Sequence, residues 1–363
     1  MSEIQVQAPG LLTTVQDLGR EGFGPMGVSP SGAADPVALR IGNRLVGNSE
    51  GAAGLELTLL GGAFQFHGPC IIALTGSDFG ATLDGLPVPV WASFETKPGQ
   101  TLRLGPTRSG ARGYLCVRGG IGAKLFLGSA STHLLSGLGG HEGRALRKGD
   151  VLKIGDAPEA EKKETGARGS SDANHQRWAK KENSQECLFH PRKISAKALK
   201  QLSPRKVLRV TPGPQSDWFP RAAQKVFYSG TYRVAEESNR MGLRLEGPAI
   251  PEGHGDASGK APRDPPGKVR GDGAGEARGE MISEGVSLGA VQIAAGGLPI
   301  ILFVEQQTTG GYAKIANVIS ADLHSLGQLR PRDEISFELV NFAAARKLLI
   351  QQEMLLASAD LVV

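Results

Sequence analysis

Cysteine is scarce: Cys70, Cys116 and Cys187 are the only three in 363 residues. Their spacing gives no CxxC pair and no zinc ligand set. The first two sit in apolar, strand-like runs, as buried thiols do. Aromatic residues make up 5 % of the chain, too few for the stacking platforms of a single-strand nucleic-acid binder. Charge of one sign is also lacking. The formal net charge is +5, and the basic residues are scattered among acids, so no nucleic-acid partner is expected. No apolar run approaches the roughly 18 residues of a membrane span, and no membrane partner is expected. Met1–Gly10 has neither the basic stretch nor the apolar core of a secretory leader. A reducing, cytoplasmic location is the expectation.

Glycine is abundant, with 51 residues and no Gly-x-y period. Much of it flanks short alternating apolar runs, which is the pattern of an all-β chain with many tight turns. The length suggests two domains. Strands are expected within Gln5–Val15 and at Leu55–Leu59, Ala63–Phe66, Cys70–Thr75, Ala81–Leu83, Trp91–Phe94, Thr101–Leu104 and Gly113–Val117. Leu146–Ile154 closes this first unit. Asp35–Leu45 has helical spacing, with Asp35 as cap and Pro36 at the first position. From Lys206 the rhythm repeats in Val207–Val210, Val226–Phe227, Tyr232–Val234, Met281–Ser283, Ala290–Ile293, Pro299–Val304 and Glu334–Leu339. Ile315, Val318, Ile319 and Leu323 predict an amphipathic helix between Tyr312 and Leu326. Phe342–Leu356 predicts a terminal helix. The resulting division is a first domain at 1–155, a polar linker or insertion at 156–205, a second domain at 206–345 and a tail at 346–363. The second domain carries a low-complexity stretch, 252–279, whose one aliphatic residue larger than alanine is Val269.

Two phosphate-site look-alikes fail. Gly22-Phe-Gly24-Pro-Met-Gly27 matches a dinucleotide fingerprint by letter, but Pro25 and Pro30 break the helix it needs. Gly255–Lys260 is one residue short of a phosphate loop and lies in the low-complexity stretch. There is no HExxH, EF-hand loop or GxSxG, and no metal site is expected.

Four clusters hold polar side chains between glycines: Gln16–Arg20, Ser29–Asp35 with Asn43 and Asn48, Ser238–Gly247, and Gln306–Tyr312. Glycine lets backbone N–H groups turn toward a ligand, and Thr, Gln and Arg beside it bind carboxylate, amide or phosphate. Each cluster also has a plain structural reading. Arg20 can fix its loop through Asp17 or Asp35, Asp35 can cap a helix, and Asn43 and Asn48 can satisfy backbone. Arg240, Arg244 and Glu246 alternate with Leu243 and Leu245, so on a strand they share one face. Glu56 is an inward carboxylate or a surface residue. His67, His133 and His141 have no cluster spacing.

These segments resemble the allophanate hydrolase subunit 2 family, also described as biotin-dependent carboxyltransferase-like. The resemblance rests on the run Pro9–Asn48 (PGLLTTVQDLGREGFGPMGVSPSGAADPVALRIGNRLVGN), YLCVRGGI at Tyr114–Ile121, GSAST at Gly128–Thr132 and GGHEGRALRKGD at Gly139–Asp150. It continues through SNRMGLRLEG at Ser238–Gly247, SEGVSLGAVQI at Ser283–Ile293 and QQTTGGYAKIANVISADLHSLGQLRPRD at Gln306–Asp333. It covers nearly the whole chain outside the two polar stretches. The chain departs from the family pattern at Glu305, where an aspartate is usual, and at Ala313, where a proline is usual.

The resemblance implies a mainly β fold of two cyclophilin-like β-barrel domains with a few short helices. It implies a subunit of an ATP-dependent 5-oxoprolinase, a lactam hydrolase complex that opens 5-oxo-L-proline to L-glutamate. Such a subunit is expected to be inactive alone. Its expected partners are an allophanate hydrolase subunit 1-like protein and a LamB/YcsF-family protein, with ATP and Mg2+ held mainly by a partner. The alternatives are a carboxyltransferase component of a urea carboxylase or allophanate system, for which biotin would be the cofactor, or a non-enzymatic antagonist of a kinase inhibitor. For the small amide substrate the candidate catalytic residues are Arg20, Thr309 and Lys314. Candidate binding residues are Ser31, Asp35, Asn43, Arg240, Arg244, Gln307, Thr308 and Tyr312.

Overall fold

The computed structural model describes residues 2–156, 190–251 and 281–363. Cys187, the Gly255–Lys260 look-alike, the insertion at 252–279 and most of the polar linker lie outside the described residues.

Strands up to Val151–Lys153 form two antiparallel sheets around one core. The six-stranded sheet runs Val151–Lys153, Glu3–Ala8, Ala63–Phe66, Thr101–Arg103, Thr82–Leu83, Leu86–Pro87. The five-stranded sheet runs Leu12–Gln16, Gly54–Thr58, Arg112–Val117, Cys70–Gly76, Ala92–Thr96. Pro9-Gly10 separates the strands Glu3–Ala8 and Leu12–Gln16, which belong to different sheets. Ile4, Val6, Leu55, Leu57, Phe64, Phe66, Leu115 and Val117 fill the space between the sheets.

Helix α1 (Pro36–Val46) covers the outer face of the five-stranded sheet. Its Leu39, Ile41 and Leu45 pack with Ala73, Tyr114 and Cys116. This second layer explains why Arg112–Val117 is buried at every position: alternate side chains meet the sheet core or the helix. Gly42 permits the contact, since a Cβ there would come 2.6 Å from the Cys116 sulfur. Asp35 accepts a hydrogen bond from the Ala38 N–H (2.9 Å), as an N-cap should. Pro25 falls in a short 3-10 turn, Gly24–Met26, in agreement with the failed dinucleotide reading.

Within the expected linker the chain forms helix α2 (Ala196–Gln201), which the polar composition did not suggest. Its Ala198, with Leu202 beyond it, is buried in the α1 cluster. Helix α3 (Arg221–Ser229) corrects the expected strand at Val226–Phe227. Phe227 is buried against Phe337, with ring centroids 4.5 Å apart, and Ala223 is buried one turn before it. One face of a helix therefore satisfies the two apolar residues that resemble a short strand.

From Val207 the chain forms a closed barrel of seven strands: Val207–Pro212, Lys314–Val318, Ala290–Ile293, Pro299–Leu302, Gly242–Glu246, Tyr232–Val234, Glu334–Leu339. Parallel pairing of Val207–Val210 with Ser336–Leu339 closes it. The amphipathic helix expected between Tyr312 and Leu326 does not form at Lys314–Val318. That segment is a strand between two neighbours, followed by a 3-10 turn at Ser320–Asp322 and the one-turn helix α4 (Leu323–Leu326). Burial of Ile315, Ala316 and Val318 imitates a helical stripe, and β-branched Ile315 and Val318 suit the strand.

Helix α5 (Phe342–Ala357) starts at Asn341, whose side chain accepts from the Ala344 N–H (2.8 Å). It returns to the first unit. Arg40 forms a two-bond pair with Glu353 (2.8 Å each), and Arg44 donates to the carbonyls of Leu356 and Ser358. Among the described residues no helix is long and apolar enough to cross a membrane.

Candidate functional site

The Gln16–Arg20 loop is fastened by Asp17. Its carboxylate accepts from Ser129 Oγ (2.7 Å), the Ala130 N–H (2.6 Å), Ser131 Oγ (2.5 Å) and the Gly19 N–H (2.8 Å). Gly19 has φ 91°, and a Cβ there would lie 2.8 Å from the Pro30 carbonyl oxygen. The next residue, Arg20, is 2 % exposed. Its Nε donates to the Phe126 carbonyl (3.3 Å), its Nη2 donates to the Ser131 carbonyl, and its guanidinium sits 5.5 Å from the Phe126 ring centre. Nη1 is buried and has no hydrogen-bond partner among the described residues. Burial pulls this guanidinium below its ordinary pKa, against the attraction of Asp17 and Glu305. Arg20 therefore bonds carbonyls, and Asp35 is not among its partners.

Beside it lies a buried ion network that joins the two units. Arg240 Nε donates to Glu305 Oε1 (2.5 Å), Nη1 to Glu56 Oε1, and Nη2 to the Gly32 carbonyl (2.7 Å). Glu305 Oε2 accepts from the Leu134 N–H (3.2 Å). Glu56 Oε2 accepts from the Ala34 N–H (2.8 Å) and Tyr114 OH (2.7 Å). Arg112 approaches Glu56 at 3.6 Å and donates to the Gly327 carbonyl (2.7 Å). Burial pulls the Arg240 guanidinium down, but Glu56 and Glu305 together push it above its ordinary value. Burial, with Glu56 and Asp35 nearby, drives the Tyr114 phenol well up, so it stays a donor.

His133 joins this centre, although nothing in its sequence context marks it. It is buried, and burial lowers its pKa against the attraction of Glu305, with Arg20 lowering it further. Its Nδ1 faces the Ser136 N–H at 3.1 Å, which assigns the proton of the neutral ring to Nε2. A lone histidine far in sequence from Glu305 gives no spacing signal.

The loop that begins at Glu305 ends at Lys314. Gln307 is exposed, Thr308 half-buried and Thr309 exposed, and Tyr312 is 47 % exposed. Thr309-Gly310 pairs with Glu284-Gly285, and the Thr308 carbonyl accepts from the Val286 N–H (3.1 Å). Lys314 is buried, with Nζ 2.7 Å from Glu284 Oε1. Gln215 donates to the same oxygen (2.8 Å). The Lys314 bond, then Gln215, holds the Glu284 carboxyl below its ordinary range. Gln292, on the strand beside Lys314, buries its Nε2 with no hydrogen-bond partner among the described residues. A Cβ on Gly310 would lie 2.7 Å from Nε2 of both Gln292 and Gln307, so a larger residue there would have to push the ends of these two side chains aside.

The structure thus brings together Arg20, Arg240, Glu56, Glu305 and His133. It places Lys314 with Glu284, Gln215 and Gln292 at the other end of one loop. Among the described residues no hydrogen bond or ion pair joins the two sets. Ser31 donates from Oγ to the Thr132 carbonyl (2.7 Å) and braces the Arg20 side. Asp35 caps α1 and accepts from Gln328 Nε2 (2.7 Å) across the unit boundary, while burial raises its pKa. Asn43 donates to the carbonyls of Glu50 and Ala52, a structural role. Arg244 is exposed on the strand Gly242–Glu246, apart from Arg240, which precedes that strand and turns inward. The shared face expected for Arg240, Arg244 and Glu246 therefore holds only for the last two. Among the described residues no group of three His, Cys, Asp or Glu side chains is placed to hold a metal ion.

The fold and the site define a two-part β protein whose second part is a closed seven-stranded barrel, fastened to the first through a buried Arg–Glu network. Comparison with known proteins gives it a family, the carboxyltransferase domain. The chain belongs to that family: the model of the carboxyltransferase domain, subdomain A and B, matches residues 26–339. It is similar to a 5-oxoprolinase subunit of Escherichia coli, with 35 % identity over 95 % of this chain and 93 % of that protein. It is also similar to the urea amidolyase of Saccharomyces cerevisiae, 34 % identical over 98 % of this chain but only 18 % of that much longer protein. The crystal structure of the Kluyveromyces lactis urea carboxylase superposes with a TM-score of 0.79 at 29 % identity, covering 99 % of this chain and 30 % of that one.

Proposed function

We propose that this chain is a subunit of an ATP-dependent 5-oxoprolinase that works in the cytoplasm. The observation that carries the reading is its 35 % identity to the Escherichia coli 5-oxoprolinase subunit along 93 % of that protein's length. The reaction adds water across the lactam C–N bond of 5-oxo-L-proline to give L-glutamate, coupled to conversion of ATP to ADP and phosphate. An amide carbon is a poor electrophile, so the exocyclic amide oxygen must be activated and its developing charge stabilised. Arg20 supplies a cation with an N–H that has no partner among the described residues. Thr308, Thr309, Gln307 and Tyr312 supply donors on an accessible loop, and Lys314 supplies a second cation at its base. In this reading ATP and Mg2+ are held mainly by the partners. Those partners are an allophanate hydrolase subunit 1-like protein and a LamB/YcsF-family protein. The test mixes the three proteins with ATP, Mg2+ and 5-oxoproline and measures glutamate. Turnover is expected only from the full mixture, and full turnover by this chain alone would refute a shared site.

The likeness to urea amidolyase and urea carboxylase supports a second reading, in which the chain accepts a carboxyl group from carboxybiotin for an amide substrate. It spans less than a third of those proteins, so biotin carrier and carboxylase functions would have to come from elsewhere. Carboxylation of urea with a supplied biotinylated carrier, and no glutamate from 5-oxoproline, would favour it.

A further inference from the structure

Outside the loops described above, the first unit carries an open cleft of about 540 Å3 whose walls include Asp78, Gly80, Val88, Trp91 and Arg108. The volume is that of a small-molecule site. Trp91 has φ 63°, in the left-handed region. A bulky side chain held there costs about 1–3 kcal/mol, and such strain gathers at ligand sites. It is imposed from both sides: the Trp91 N–H donates to the Leu74 carbonyl (2.6 Å), and its carbonyl accepts from the Ile194 N–H (3.0 Å). Trp91 thus lines the cleft while its half-buried side chain also packs against the apolar cluster beneath α1.

Arg108 is braced at the same cleft. Its guanidinium lies against Gly80, where a Cβ would come 2.7 Å from Nη2 and 3.0 Å from Cζ. Gly80 has φ 58°, and its N–H donates to Asp78 Oδ1 (2.7 Å). Asp78 Oδ2 accepts one bond from Arg108 Nη1 (3.2 Å), and the Asp78 carbonyl accepts from the Arg108 N–H (2.8 Å). Among the described residues one of its five guanidinium N–H groups is thereby used. Asp78 orients the head group, and the side chain remains 69 % exposed.

We propose that this cleft binds a small molecule made of a flat ring and an acidic group, the ring against Trp91 and the acid on Arg108. An indole face prefers an aromatic or heterocyclic partner, and a guanidinium prefers carboxylate or phosphate. Both lining segments lead into Gln328 of the second unit, which accepts from Ser77 Oγ (2.7 Å) and the Ala111 N–H (3.1 Å). An occupant therefore sits beside the contact between the units.

Calorimetric titration of the whole chain tests this with two probes, AMP and indole-3-acetate. Adenosine (ring only) and ribose 5-phosphate (acid only) serve as fragments. AMP should bind about tenfold or more tightly than either fragment, or indole-3-acetate about tenfold or more tightly than its uncharged analogue indole-3-acetamide. Arg108→Ala should melt like the wild type and erase the advantage of the acid. Trp91→Phe, which keeps an aromatic wall, should weaken the ring-bearing probes by a smaller factor. Thr309→Ala should leave affinity unchanged, which separates this cleft from the candidate site. Failure of both probes to bind at millimolar concentration would overturn the proposal. So would binding that survives Arg108→Ala or is lost in Thr309→Ala.

Discussion

Arg20 and Thr309 are opposite kinds of residue, and the same substitution tests them differently. Arg20 is buried and carries three internal contacts, whereas Thr309 is exposed on a two-residue strand. Thr309→Ala should lower turnover of the reconstituted complex about tenfold, roughly 1.4 kcal/mol, with an unchanged melting curve. Arg20→Ala should lower both, because it empties a packed, charged slot. Normal turnover in Thr309→Ala would remove this loop from the site. Asp150 supplies a pH test. Its bond to Arg144 (2.8 Å) holds its pKa at about 2, against an ordinary 3.8. A depressed folded value means that the stabilisation is present above the ordinary carboxylate pKa and is lost as pH falls through about 2. After allowance for solvent screening, Asp150→Asn should cost about 1–2 kcal/mol at neutral pH and nothing near pH 2. Denaturant melts across that range check it.

At the scale of elements, much of the first unit was legible. Strands punctuated by Gly and Pro gave most of the sheets, and the Asp35-Pro36 start gave α1, because cap, first-turn proline and apolar period agree locally. Legibility stopped where neighbours decide. Val226–Phe227 has strand-like residues, but α3 forms because Phe227 is needed against Phe337. Lys314–Val318 has a helical stripe, but barrel closure buries both of its faces. The site divides the same way. Thr308, Thr309 and Tyr312 announce themselves through the adjoining glycines, whereas His133 and Gln292 acquire meaning only from partners remote in sequence. Gly310 carries an element-scale prediction. Its Cβ position lies 2.7 Å from the amide ends of Gln292 and Gln307, so Gly310→Ala should push both side chains aside and loosen the loop that pairs with Glu284-Gly285. Turnover should fall while the barrel melts within a few degrees of wild type. An unchanged rate would show that the ribbon's position is immaterial to the reaction.

Each β unit has its own core, a third apolar cluster lies beneath α1, and the seam between the two β units is rich in polar pairs; that seam carries the last prediction. Arg240 comes from the second unit, and two of its three bonds go to the first, at Glu56 and Gly32. Its third bond goes to Glu305, which itself receives the Leu134 N–H of the first unit. Gln328 and Arg112 add a second polar seam alongside. Hydrophobic area could hold two barrels together at many relative angles, but a guanidinium shared by two carboxylates fixes one. Removing one partner of such a buried set costs about 3–5 kcal/mol, since the charges left behind are desolvated and unpaired. Arg240→Met keeps much of the volume and deletes the charge, leaving Glu56 and Glu305 facing each other. Wild-type chain should unfold in one calorimetric transition. Arg240→Met should lower that transition and split it in two, because each unit retains its own core. Glu56→Gln with Glu305→Gln, added to Arg240→Met, should recover part of the loss by removing the stranded charges. A single unshifted transition in Arg240→Met would mean that the apolar contacts, including the α5 strap, hold the units together without the ion network.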